Sequence, residues 1–179
     1  ILFTVLFSLL VYAPLAHWSW HPEGFLFKMG ALDFAGGTVV HISAGCAALA
    51  GALVLKRRKV HKENKEIPPA NVPYVLIGTG LLWFGWFGFN GGSLLKASAD
   101  IGLVITNTNL APAAAGVSAL ILNYAMERRL DVGKLFTAIL AGLVAITAGS
   151  NRVNPDCAVY IGLIAGIVST LAQDFIEKI

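Results

Sequence analysis

The sequence has few charged residues. They make up 13% of its 179 positions, whereas a soluble domain carries about 25%. Hydrophobic residues reach 56%, which is more than one small globule can bury, so lipid has to solvate much of the surface. The net charge is +3, but the basic residues lie between apolar runs and form no aromatic-studded basic face. This distribution excludes nucleic acid as a partner.

Cysteine is also scarce. Cys46 and Cys157 are the only two, and they do not have the spacing of metal ligands. We expect both to be small buried thiols, and we expect neither a metal nor a cofactor. The sequence begins inside an apolar run with no basic segment ahead of it, which is unlike a signal peptide. We therefore expect Ile1 to be a cut end.

Long apolar stretches dominate what is present. A spanning helix needs about 20 predominantly apolar residues, and none of the stretches alternates with the period of two that a membrane β-barrel requires. The composition therefore predicts an all-α, polytopic membrane bundle of about six spanning helices. The stretches are 1–16, 33–55, 73–95, 101–126, 134–150 and 157–175.

The basic residues test this topology. Residues 56–66 contain six Lys/Arg, and counting six spans puts ten of the 13 Lys/Arg on the side of that segment. Cytoplasmic loops carry the excess of Lys and Arg. We therefore expect loop 56–72 to be cytoplasmic and segment 17–32 to be external in a multi-pass protein of the cell membrane.

Small residues recur at helical spacing within the spans. Gly78, Gly85 and Gly92 do so in the third, and Ala44, Ala48 and Ala52 do so in the second. Small side chains let helix backbones approach each other in lipid. We expect close helix packing at these stripes, as in any helical bundle.

Two ionisable residues mark the start of the second span. Residues 33–42 read DFAGGTVVHI, and a helix through them would place Asp33 and His41 on one face, with His41 roughly 12 Å deeper. Asp33 fits an N-cap and also a functional carboxylate. An ionisable group at membrane depth normally faces a cavity or pathway. His41 is therefore a pore-lining candidate, the alternative being a structural hydrogen bond between helices.

The third span carries an aromatic stripe. Trp86, Phe89, Asn90 and Ser93 are spaced i, i+3, i+4 and i+7, so a helix would align them with a hydroxyl at the outer end. Aromatic side chains at this spacing usually pack against neighbours. The pattern by itself leaves both packing and a functional face open.

These motifs together resemble those of the Amt ammonium transporters, which are relatives of the Rh proteins. Residues 33–42 (DFAGGTVVHI) are similar to the family's signature region, and residues 85–93 (GWFGFNGGS) to its motif on the next helix. Residues 16–20 (AHWSW) and 107–111 (NTNLA) also fit. The resemblance extends along essentially the whole chain.

The resemblance implies a role for each site residue. Trp20, Ser93 and Asp33 would form the outer substrate-binding site: an indole face, a hydroxyl acceptor and a carboxylate that orients the helix end. Phe89 would match a gate phenylalanine and Trp86 the pore-wall tryptophan. His41 would match the first of two pore histidines.

The family also implies an architecture and a function. Its members have eleven spanning helices, form homotrimers and conduct through a pore in each subunit. The motifs would place this chain at the fourth to ninth helices of one transporter domain. The implied function is transport of ammonium or ammonia, with no enzymatic reaction, and the fold leaves room for a cytoplasmic regulatory protein.

Two departures and three alternatives remain open. The loop after Trp20 is one residue longer than the family pattern, and Ala148 stands where the family usually has proline. The alternatives are an ammonium sensor of the same fold, an inactive incomplete transporter, and an intramembrane hydrolase that pairs Ser93 or Ser43 with His41. The hydrolase needs its nucleophile and base in hydrogen-bond contact.

Overall fold

Helices account for the regular structure of the described part of the chain. The computed structural model describes residues 1–57 and 70–178, and it contains no strand there. Most of the basic loop predicted at 56–72 therefore lies outside the described residues. The helices are α1 (Leu2–Phe7), a π-helical segment (Ser8–Tyr12), α2 (Ala13–Trp20), α3 (Phe25–Lys28), a second π-helical segment (Gly37–Ile42), α4 (Ser43–Leu55), α5 (Val72–Gly92), α6 (Ile101–Glu127), α7 (Val132–Thr147) and α8 (Pro155–Lys178).

Five helical runs are long and apolar enough to cross a membrane, and their most apolar windows have mean hydropathies of 1.3 to 1.9. Among the described residues these runs are Leu2–Lys28, Gly37–Leu55, Val72–Gly92, Ile101–Glu127 and Pro155–Ile176, and the shorter apolar helix is Val132–Thr147. Large apolar side chains such as Phe84 and Phe175 lie exposed on them. The predicted all-α membrane bundle is confirmed, and the fifth predicted span (134–150) is the shorter helix of 16 residues.

The described chain divides into two compact units. The first comprises Ile1–Ala31 and Thr38–Ile77, and the second comprises Leu32–Gly37 and Gly78–Ile179. In the first unit, an apolar groove of about 480 Å³ is lined by Phe3, Phe7, Leu55 and the small residues of α4.

Cys46 on α4 is exposed, as is Cys157 on α8, so the prediction of buried thiols is wrong for both.

The second unit is built on α6, α7 and α8. A Cβ atom at Gly162 would overlap the carbonyl oxygen of Ala111, and one at Gly166 would overlap that of Ala115. The residue numbers of the contacts rise along both helices, from Gly162 with Ala111 to Gly166 with Ala115, so α6 and α8 run in the same direction. Backbones in such contact tolerate only glycine at these positions.

Helix α7 runs opposite to α6 in the same unit. Gly142 of α7 lies against Pro112, and Gly116 of α6 lies against Leu135 and Ile139. The close packing predicted at Gly78, Gly85 and Gly92 is not found among the described residues, because a Cβ atom at any of these glycines would meet no described atom within 4 Å. The close approaches among the described residues therefore use glycines that the stripe did not indicate.

A buried ion cluster at one end of this unit links α6, α7 and α8. The Lys134 ammonium forms ion pairs with Glu127 at the end of α6 and with Asp174 of α8, the latter at 2.5 Å, and its side chain is 7% exposed. Asp131 caps α7 by accepting a hydrogen bond from the Lys134 backbone amide at 3.1 Å. One buried cation thus holds the ends of three helices.

Candidate functional site

The acidic residue of the signature motif lies in a turn before the helix. Asp33 is 9% exposed, and its Oδ1 accepts a hydrogen bond from the Gly36 amide at 3.1 Å. Helical structure begins only at Gly37. The prediction that Asp33 and His41 share one helix face is therefore wrong, because the chain between them is not continuously helical. Asp33 stabilises the turn that leads into the helix, which is close to the capping alternative.

The two glycines of this turn are required for different reasons. Gly36 has φ of +96°, a left-handed conformation that strongly favours glycine. Gly37 lies so close to the end of α7 that a Cβ atom there would be 2.7 Å from the Cβ of Ala148. The Phe34 amide also donates to the Ala148 carbonyl oxygen at 3.0 Å. The turn that contains Asp33 therefore packs against Ala148, the residue that follows α7.

The turn at Ala148, the position where a proline is expected, has regular backbone geometry. Ala148 has φ −70° and ψ −27°, so the backbone leaves α7 in a helical conformation. Asn107 of α6 is fully buried and donates from Nδ2 to the carbonyl oxygens of Ser150 at 2.9 Å and Val153 at 2.8 Å. These two bonds fix the turn to α6.

The aromatic stripe of α5 is partly packed and partly exposed. The rings of Trp86 and Phe89 contact each other, with centroids 5.7 Å apart and planes tilted by 49°. The Trp86 indole Nε1 donates to Thr147 Oγ1 at 2.9 Å, and Asn90 Nδ2 donates to Thr108 Oγ1 at 2.9 Å. Phe89 remains 40% exposed. One side of the stripe packs into the unit, and Phe89 is left on its surface.

Ser93 lies one residue beyond the end of α5, in the following turn. Helix α5 ends at Gly92, so the aligned hydroxyl predicted on the helix sits just past it. Ser93 Oγ donates to the Phe89 carbonyl oxygen at 2.9 Å. Because the hydroxyl proton is donated to that carbonyl oxygen, the half-buried Ser93 oxygen presents its lone pairs as hydrogen-bond acceptors, and a cation binds to acceptors of this kind.

Trp20 and His41 belong to the first unit. Trp20 ends α2 and is 41% exposed, and His41 is half-buried in the π-helical segment Gly37–Ile42. Two residues on, Ser43 Oγ donates to the Val39 carbonyl oxygen at 2.6 Å. The hydroxyl protons of Ser43 and Ser93 both go to backbone oxygens, which disfavours the hydrolase alternative.

Comparison with known proteins identifies the family. The sequence model of the Ammonium Transporter Family matches residues 1–179. The chain belongs to the ammonium transporter family. An ammonium transporter of Aquifex aeolicus is 47% identical over 167 residues, covering 93% of this chain and 38% of that protein. Ammonium transporter Amt1 of Archaeoglobus fulgidus is 48% identical over 177 residues, covering 98% and 44%.

Solved structures share the fold. Mep2 of Saccharomyces cerevisiae has a TM-score of 0.90 at 38% identity, covering 98% of this chain and 40% of that chain. A Sensor Amt Protein also has a TM-score of 0.90, at 50% identity, covering 98% and 46%. The chain thus spans between about one third and one half of the length of the relatives it matches.

Sequence reasoning missed two polar residues that hold parts of the candidate site. Thr147 holds the Trp86 indole, and Asn107 holds the turn after α7. A signal was present, because polar side chains are rare in such apolar helices and mark positions with a task. Residues 107–111 fit the family pattern, but that fit alone assigns no role to Asn107.

Proposed function

We propose that this chain is the fourth-to-ninth-helix part of one ammonium transporter domain, and that the whole protein moves ammonium or ammonia across a cell membrane without an enzymatic reaction. The observation that carries the proposal is the match to proteins named ammonium transporters at 47–48% identity across almost the whole chain. The membrane-compatible helices support it, since they supply lipid-facing apolar surface.

Cation capture is assigned to Trp20, Ser93 and Asp33. An indole face attracts a small cation by about 0.5–2 kcal/mol, the upper value applying where water is excluded. Ser93 supports this role because its hydroxyl proton is donated to Phe89, leaving an acceptor for an ammonium N–H. Asp33 acts indirectly, by holding the turn at the start of the helix and favouring positive charge nearby.

Passage is assigned to Phe89 as gate, Trp86 as wall and His41 as the pore histidine. Ammonium is close to potassium in size, so charge alone does not discriminate between the two ions. An apolar pore strongly disfavours a bare ion, whereas neutral ammonia passes more easily. Selectivity then follows from removing a proton at the outer site. The imidazole of His41 is able to accept and donate hydrogen bonds along the path.

The assembly follows from the same assignment. We propose a homotrimer in the lipid bilayer, with loop 56–72 in the cytoplasm and segment 17–32 outside, and with the cytoplasmic face open to a regulatory protein. The ten-to-three distribution of Lys and Arg supports the two sides of the membrane, whereas the trimer and the regulatory protein are proposed from membership of the family alone.

The decisive experiment uses the full-length protein that contains this chain. It is reconstituted into proteoliposomes, and solid-supported-membrane currents are recorded after jumps of ammonium and of potassium. A saturable response to ammonium that potassium does not produce is expected. A full-length, folded protein that binds ammonium without moving it would overturn transport.

Such an outcome would favour an ammonium sensor. The observation behind this second candidate is the Sensor Amt Protein, which is 50% identical to the chain. Neither binding nor movement in the folded protein would instead identify an inactive relative. Equilibrium binding of ammonium, measured beside the current, separates these two outcomes.

A further inference from the structure

The hydroxyl of Thr147 makes two directed hydrogen bonds. Thr147 is fully buried, and its Oγ1 donates to the Leu143 carbonyl oxygen at 2.7 Å. Because a hydroxyl has one proton, this bond leaves the oxygen as an acceptor, and it accepts from Trp86 Nε1 at 2.9 Å. The indole has no other N–H, so its single donor is used inside the protein.

These bonds determine which part of the indole is available. An indole with a free N–H offers a hydrogen-bond donor to the lone pair of ammonia and would retain it. An indole with a committed N–H offers its ring surface, which attracts more weakly and without a fixed direction. The Phe89 ring also contacts the indole, at a centroid distance of 5.7 Å and a tilt of 49°. The arrangement favours passage over retention.

The residue after Thr147 holds a second element of the site. The Ala148 carbonyl oxygen accepts from the Phe34 amide, and Gly37 packs on the Ala148 side chain. The turn beyond is fixed to α6 by Asn107. Two consecutive residues at the end of α7 therefore hold the Trp86 indole and the Asp33 turn within one unit of the chain.

We propose that Thr147 is a positioning residue of the ammonium pathway, which commits the Trp86 N–H so that permeating ammonia meets the indole face. This rests on the proposed function. The turn at Ala148 couples the position of that face to the position of the Asp33 turn. No substrate contact of Thr147 itself is required.

The test uses substitutions that remove or retain the hydroxyl in the full-length protein. Thr147→Val keeps the shape and removes the acceptor, and Thr147→Ser restores it. The matched control is Thr137→Val on the same helix, since Thr137 Oγ1 donates to the Gly133 carbonyl oxygen in the same way and is exposed. Ammonium currents give the maximal flux and the half-saturating concentration for each variant.

Thr147→Val is expected to lower the maximal flux several-fold more than it changes half-saturation, while Thr147→Ser stays within about two-fold of wild type. Thr137→Val should match wild type. In a Trp86→Phe background, which has no indole N–H, Thr147→Val should have no further effect, and this comparison holds even where Thr147→Val alone folds poorly. Equal loss in the Trp86→Phe background, or undiminished flux in Thr147→Val, would overturn the positioning role. A wild-type protein without ammonium current would overturn the proposed function instead.

Discussion

Gly37 and Ala148 are in contact across the start of one helical segment and the end of another, close enough that a Cβ on Gly37 would lie 2.7 Å from the Cβ of Ala148. Gly37→Ala should therefore destabilise the protein, by about 1–3 kcal/mol as for other overpacked sites. The measurement is the loss of the folded fraction on heating in detergent. Gly37→Ala combined with Ala148→Gly removes the Cβ–Cβ overlap and should recover part of the stability. A double variant no better than the single one would show that the contact with Ala148 is not the cause.

Gly162 is the tightest point between α6 and α8. Gly162→Ala should destabilise the protein by at least the 1–3 kcal/mol typical of overpacking, because the overlapping atom belongs to the backbone of Ala111 and is not free to rotate away. Gly149→Ala is the matched control, since its Cβ would meet only Val153, at an ordinary 3.6 Å. Detergent melting of both variants checks this. Equal melting temperatures for the two would contradict the proposed close approach.

Lys134 neutralises two carboxylates at the end of the second unit. Lys134→Met should cost about 3–5 kcal/mol of unfolding free energy, because Glu127 and Asp174 would remain close together without their shared cation. Adding Glu127→Gln and Asp174→Asn should recover much of that loss. The control is Lys96→Met, at an exposed lysine. A Lys134→Met protein as stable as the control would mean that the cluster contributes little.

The proposed function places Trp20 at cation capture on the external side. In the full-length protein, Trp20→Leu should weaken the apparent ammonium affinity roughly two- to thirty-fold and relax discrimination against alkali ions, because the cation–π attraction is lost. Concentration-dependent current is the measurement, with expression level as the control. Unchanged affinity at normal expression would leave Trp20 as an interfacial anchor.

A proton relay through His41, the proposed pore histidine, predicts a result that a purely structural role does not. His41→Ala in the full-length protein should lower or abolish the ammonium-driven current while the fold persists. A purely structural His41 predicts the reverse: a variant destabilised by about 1–3 kcal/mol, because a partner is left unsatisfied, that still carries current per folded molecule. Current and detergent melting temperature are measured on both proteins. A stable variant with undiminished, ammonium-selective current would contradict both roles.

The sequence by itself determined the class of this protein. Apolar runs of spanning length predict helices in lipid whatever their neighbours are, because backbone hydrogen bonds have to be satisfied within each span. The predicted spans correspond to the observed helical runs, with ends shifted by a few residues except that the first run extends to Lys28. The motifs at 33–42 and 85–93 were sufficient to indicate the family, since their residue order is specific.

Tertiary structure alone decided how the site residues are held. Helical spacing placed Asp33 on a helix face, but Gly36 at φ +96° and the seat on Ala148 make it part of a turn. Periodicity marked the glycines of α5, whereas Gly142, Gly162 and Gly166 make the close approaches. Thr147 and Asn107 became partners of Trp86 and of the turn after α7 only through folding. Periodicity describes one helix at a time, and these contacts join residues 30 or more positions apart, so they depend on how neighbouring helices pack.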